Sequence, residues 1–236
     1  MAKQIILLVF SVSLFLQLTP SYTHDQAFNS FVKADHSPEQ TEATKPSVES
    51  LTSEVAPLLI YTAILLEEHG RHIIRESRIF LKDVVGELLE LPLRSEFILR
   101  NITRFNNLIQ RIESIDLEGD SSAVLSEKST LLDDIAQLLA DVDLTAADDV
   151  ANSEAVVYKK VFHKVDLKGF RTNLAKSAET TVHKFAIIFT RFWNSLGDTE
   201  KELLSELRDW WIHFNAEKNA EEKIKHFAEF LKIFGV

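Results

Sequence analysis

Between Glu54 and Leu91, apolar or small residues recur at steps of three and four: Leu59, Ala63, Leu66, Gly70, Ile73, Ser77, Phe80, Val84, Leu88 and Leu91. That period sets them along one side of a helix. At 1.5 Å per residue the helix is about 57 Å long, more than one neighbour can cover. Ala63, Gly70 and Ser77 recur every seventh position, and side chains this small let a partner helix come close. The seam reads as the surface on which the rest of the chain packs.

The flanking residues supply its ends. Ser53 is a suitable N-cap with Pro57 still in the first turn, and Pro92 stops the helix because the residue before a proline is pushed out of helical geometry. A second helix, Leu93 to Ile115, follows on Phe97, Ile98, Ile102, Phe105, Ile109 and Ile112. The turn composition from Leu117 to Ser121 ends it. A third, from about Ser122 to Val142, is carried by Val124, Leu125, Leu131, Leu132, Ile135, Leu138 and Leu139.

Thr145 with Asp148 three residues later has the form of a helix-start box. It is expected to open a fourth helix on Val150, Val156, Val157, Val161, Phe162 and Val165, although valine and tyrosine lower helix propensity there. A break from Asp166 to Gly169 leads into a fifth helix on Phe170, Leu174, Ala178, Val182, Phe185, Phe189 and Phe192, ending at Gly197. Thr199 and Glu202 form a further capping box. The last helical region carries Leu203, Leu207, Trp210, Trp211 and Phe214, then Ile224, Phe227, Leu231 and Phe234 beyond a polar patch at Glu217, Lys218 and Asn219. The predicted fold is all-α: a bundle of about five or six amphipathic helices over residues 54–236.

Two segments precede the bundle. Lys3, the apolar run Ile5 to Leu16, and then Pro20, Ser21 and Thr23 have the layout of a signal peptide over residues 1–23, cut within 21–24. The run is short for a membrane span. Residues 24–53 are polar and weakly periodic and read as a flexible arm, in which Phe28 and Phe31 form at most a short turn. The expected product is secreted and extracellular.

Composition narrows this further. Cysteine is absent, so packing alone must hold a fold made where disulfides are available. The formal charge of −10 becomes −11 once Lys3 leaves with the signal, which argues against nucleic acid as a partner. The charge is also sorted. From Glu113 to Glu154 twelve acidic residues face one base, Lys128; from Tyr158 to Phe192 eight Lys and Arg face only Asp166 and Glu179. One expectation is that these adjacent runs attract each other along their solvent edges, at ~0.2–1 kcal/mol per exposed pair. The other is that the basic run meets an anionic surface.

Little in the chain suggests catalysis. Glu68, His72 and Glu76 lie four apart, with His69 beside them, and a carboxylate–imidazole line of this kind is able to hold a divalent metal. With Arg71, Arg75 and Arg78 interleaved, and no second Glu/His helix to answer it, ion pairs on a solvated face are the better expectation. There is no Gly-x-Ser-x-Gly elbow or phosphate-cradling glycine loop, and His163, His183, His213 and His226 are scattered. We therefore expect no cofactor or metal and a protein that is not an enzyme. Asn101, Ile102 and Thr103 form an N-glycosylation sequon. The projection sets Asn101 close to the apolar stripe of its helix, where a glycan would oppose packing.

The aromatic residues carry the functional expectation. Thirteen of twenty-two lie at or after Tyr158. The segments Lys184 to Trp193 and Lys223 to Phe234 combine a wide apolar face with flanking Lys or Arg, a pattern suited to a membrane interface or an apolar-ligand cavity as well as to an ordinary core. The candidate ligand- or membrane-binding residues are Phe185, Phe189, Phe192, Trp193, Trp210, Trp211, Phe214, Phe227, Phe230 and Phe234. Their expected partner is a lipid, a fatty acid or a membrane surface. The alternative is a protein-interaction module or effector acting on a host or cell-surface protein.

Overall fold

A computed structural model of the chain describes residues 48–92, 94–147 and 153–233. The expected signal segment, the arm as far as residue 47, and Phe234 lie outside the described residues, as does Asp148 of the first helix-start box. The described residues form eight helices and no strand: α1 (Val48–Leu89), α2 (Glu96–Ser114), α3 (Ser122–Ala147), α4 (Ser153–Lys164), α5 (Leu167–Ser195), α6 (Asp198–Leu203), α7 (Ser205–Ala216) and α8 (Ala220–Ile233). They make a helical bundle, as the periodicity predicts.

The long first helix is the axis of the bundle. Its 42 residues span about 63 Å, and α2, α3, α4 and α5 all pack on it. Leu66, Gly70, Ile73, Ser77, Phe80, Val84 and Leu88 of the seam are buried, and Leu58, Leu65, Ile74, Leu81 and Val85 widen the buried face. The helix begins earlier than its N-cap signal suggests, so Pro57 is an interior residue rather than one of the first turn. An interior proline costs about 3 kcal/mol through the lost hydrogen bond and a carbonyl clash. Burial of Val55 and Leu58 on either side of it offsets that, at about 1.5–3 kcal/mol per apolar side chain.

Helix α2 returns antiparallel along the C-terminal half of α1, with Lys82 paired to Glu113, and Ser95 caps it through Ile98 N. Helix α3 then runs back beside α2, tied by Arg111 to Glu127 and Asp134 and by Arg104 to Asp141 at 2.7 Å. It extends through Ala147, so Thr145 closes this helix and does not start the next. The valine-rich stretch is helical nonetheless, as α4, because Tyr158, Val161 and Phe162 are buried. Their rings meet Phe97 and Phe105 of α2 and Phe80 of α1, and tertiary packing overrides weak propensity.

The expected break before α5 is confined to Val165 and Asp166. Asp166 adopts a left-handed conformation (φ 57°) and its Oδ1 accepts from Gly169 N at 2.9 Å, so the helix starts at Leu167. Helix α5 runs antiparallel to α1, fixed by Glu68 to Lys184 (3.3 Å), by Asn173 Nδ2 donating to Glu76 (2.7 Å), and by Phe80 stacked on Phe170 (4.3 Å). It ends at Ser195, two residues before the expected Gly197, which instead opens the next helix. Gly197 N, not the Thr199 hydroxyl, makes the cap bond, donating to Glu200 Oε2 at 2.6 Å. The final region is accordingly three helices, and Leu203, expected on its apolar face, is 56% exposed. Asn219 in the polar patch caps α8, its Oδ1 accepting from Glu221 N and Glu222 N.

Candidate functional site

The aromatic residues collect in two places along α5. Near its start, Phe80, Phe97, Phe105, Tyr158, Phe162 and Phe170 bring together α1, α2, α4 and α5. Burial raises the Tyr158 phenol well above its ordinary range. About 22 Å further along the helix the second set begins at Phe185, which touches Phe189, Trp210, Phe214, Phe227 and Phe230. Aromatic pairs of this geometry contribute about 0.5–1.5 kcal/mol each beyond their area.

Nine of the ten candidate binding residues are therefore assembled by α5, α7 and α8 into one cluster. Phe185, Phe189, Phe192, Trp210, Phe214, Phe227 and Phe230 are buried within it. Trp210 Nε1 donates to His226 O at 2.6 Å and closes α7 onto α8. Trp193 and Trp211 are different. Both pack on Phe189, at ring separations of 6.1 and 4.5 Å, and both remain half-buried at the edge of the cluster. The Lys201 ammonium lies 6.0 Å over the Trp193 ring, close enough for attraction to its face. Local contacts within α7 and α8 join Arg208 to Asp209 and Lys225 to Glu222, and His226 Nδ1 lies 2.9 Å from Glu229 Oε2.

A cavity opens elsewhere, between α1, α3 and α5, lined by Ser77, Phe80, Leu81, Ile135, Leu138, Leu139 and Phe170. At about 10 Å³ it is no larger than one water molecule and holds no acyl chain.

The histidine–carboxylate line on α1 is used for packing. Glu68 and Glu76 reach Lys184 and Asn173 of α5, and no group of three or more His, Asp or Glu side chains able to hold a metal ion is gathered among the described residues. His69, beside that line, is 3% exposed, with Nδ1 2.9 Å from Ser177 Oγ. Burial, aided by the neighbouring His72, pushes its pKa down to about 3. Asn101 is half-buried. Its Nδ2 donates to Phe97 O of its own helix at 2.9 Å and its Oδ1 accepts from the Tyr158 hydroxyl of α4 at 3.3 Å. No described helix is long and apolar enough to cross a membrane.

The charges pair differently from the first expectation. The acidic run is met by bases of α1 and α2: Lys82 with Glu113, Arg71 and Arg75 with Glu118, Arg111 with Glu127 and Asp134, and Arg104 with Asp141. From the basic run, Lys164 and Lys184 turn to Glu87 and Glu68 of α1. Both runs thus send charges to α1, beyond the pairing of sequence neighbours that had been expected. Lys168, Lys176 and Arg191 have no carboxylate partner among the described residues.

Against these features, no protein family, curated protein or solved structure matches the chain.

Proposed function

We propose that the chain is a secreted, non-enzymatic protein that binds an amphipathic partner, a lipid, fatty acid or membrane surface, through its aromatic C-terminal helices. The observation that carries this reading is the pair of half-buried indoles, Trp193 and Trp211, flanking Phe189 with Lys201 above one of them. An indole is apolar over most of its ring and polar at its N–H, and it settles where hydrocarbon meets water. Behind the indoles lies a reserve of apolar surface in Phe185, Phe189, Phe214, Phe227 and Phe230. Separation of α7 and α8 from α5 exchanges ring–ring contact for ring–acyl contact. The apolar area removed from water is then little changed, which keeps the exchange within reach of a few kcal/mol.

Tryptophan fluorescence tests the reading. Titration with phosphatidylcholine vesicles and with a long-chain fatty acid is expected to shift the emission of Trp193 and Trp211 to the blue. An unchanged spectrum with both would remove it. The second reading, a protein-interaction module acting on a host or cell-surface protein, draws on the sealing of those five phenylalanines; it predicts a saturable protein partner and indifference to lipid.

A further inference from the structure

The outward side of α5 is the complement of its buried stripe. Lys168, Thr172, Lys176, Thr180, His183, Ile187 and Arg191 follow one another at steps of three and four, and all seven are exposed. The cations and the imidazole recur every seven or eight residues, about 11–12 Å apart, over a straight length of about 35 Å. The threonines contribute no free donors. Thr172 and Thr180 give their hydroxyls to the carbonyls of Lys168 and Lys176, each at 2.9 Å. Glu179 is the only acid on the exposed side between Lys168 and Arg191. Ile187, 44% exposed, stands one turn from both His183 and Arg191, an apolar tip set among bases.

We infer that this ridge of α5 docks the protein on an anionic phospholipid bilayer, the cations at the level of the phosphates and Ile187 below them. The inference rests on the lipid reading above and adds the chemistry of the headgroup. Three features favour a bilayer. A straight ridge meets a plane along its whole length. The unpaired cations of Lys168, Lys176 and Arg191 make a positive line on a chain of net charge −10, so a polyanion that wraps the protein would meet repulsion elsewhere. Nine acidic residues against one base lie between Glu113 and Asp143, from the end of α2 through α3, whereas α5 from Lys168 to Arg191 carries five bases and one acid. The resulting charge asymmetry turns α5 toward a negative surface.

The test is co-flotation of the full chain with two kinds of vesicle, phosphatidylcholine alone and phosphatidylcholine with about one-third phosphatidylserine. The ridge variant is K168Q/K176Q/R191Q. A control, R78Q/R94Q/R100Q, makes the same change in net charge at exposed arginines of α1, α2 and the segment between them. Each base at an anionic surface contributes about fivefold to partitioning, so the ridge variant is expected to bind anionic vesicles about a hundredfold more weakly. The control should bind like the parent, and raising salt from about 0.05 to about 0.5 M should release the parent. Ile187→Ser tests the apolar tip and should weaken binding to the same vesicles.

Equal loss in both triple variants, or parental binding by the ridge variant, would overturn the inference. So would stronger binding to soluble heparin than to vesicles. The two readings fail separately. If the parent binds phosphatidylcholine with a blue shift and phosphatidylserine adds nothing, the ridge fails and the aromatic reading stands. If anionic vesicles bind through the ridge with no spectral change, the ridge stands and the aromatic reading fails. Binding to neither vesicle sinks both.

Discussion

The Lys128 ammonium lies 2.9 Å from Glu67 Oε1 and 2.7 Å from Gly119 O, and its side chain is 1% exposed. This buried base ties α3 to α1 and to the turn after α2. Removing one partner of such a pair strands the other without water. Glu67→Ala is expected to cost about 3 kcal/mol, and Lys128→Met, which removes the stranded charge and retains most of the volume, distinctly less. Urea unfolding of the two variants side by side measures the difference.

Stability should fall in mild acid because of His69. Its folded pKa of about 3 lies below the ordinary value of about 6.5, so the unfolded chain binds the extra proton. The contribution is complete above pH 6.5 and declines as the pH drops toward 3, by about 1.4 kcal/mol per pH unit in the middle of the window. His69→Leu should flatten this part of the profile relative to the parent. Denaturant midpoints at pH 7 and pH 5 give the comparison, and an equal slope in the two proteins would place the titration elsewhere.

Gly169 has no room for a side chain. A Cβ added there runs into the carboxyl of Asp166, the group that accepts from Gly169 N and starts α5. Gly169→Ala should therefore swing Asp166 away and cost about 1 kcal/mol, the ordinary value of a lost N-cap. Asp166→Ala should cost a similar amount, and the double variant little more than either. A thermal-melt cycle over the three proteins tests that non-additivity.

Phe185 is the hub of the second aromatic set. Phe185→Ala should cost about 3–5 kcal/mol through lost burial and the cavity left behind. Trp193→Ala, at the half-buried edge, should cost less. Calorimetry separates them, and equal losses would mean that Trp193 is as central as Phe185.

The fold was legible wherever a stripe of bulky residues recurs without interruption. On α5 six of the seven expected residues, Leu174, Ala178, Val182, Phe185, Phe189 and Phe192, are buried, Phe170 is half-buried and Thr181 joins them, because helical period and burial are the same geometry seen twice. Ends were harder to read. Thr145 and Thr199 have cap chemistry, yet α3 runs through one and Gly197 caps ahead of the other, since several residues near a helix end compete for the same orphan N–H groups. Lys128 stood out in the sequence only as the one base of an acidic run; its burial depends on the distant Glu67 and Gly119 carbonyl. The exposed ridge of α5 was available in the spacing from Lys168 to Arg191. Of the two expectations for that basic run, pairing with the acidic run and contact with an anionic surface, the spacing alone did not choose; arginines of α1 and α2 engage Glu118, Glu127, Asp134 and Asp141 of the acidic run.

The two aromatic sets are threaded on α5 as beads on a rod, with smaller buried residues, Leu174, Ala178, Thr181 and Val182, between them. Such a bar is strong at its ends and thinner at its waist. Amide exchange should then fall into separate classes along one continuous helix, the segment around Phe185 opening on its own schedule while the segment around Phe170 keeps time with α2 and α4. A single rod would thus report two melting events.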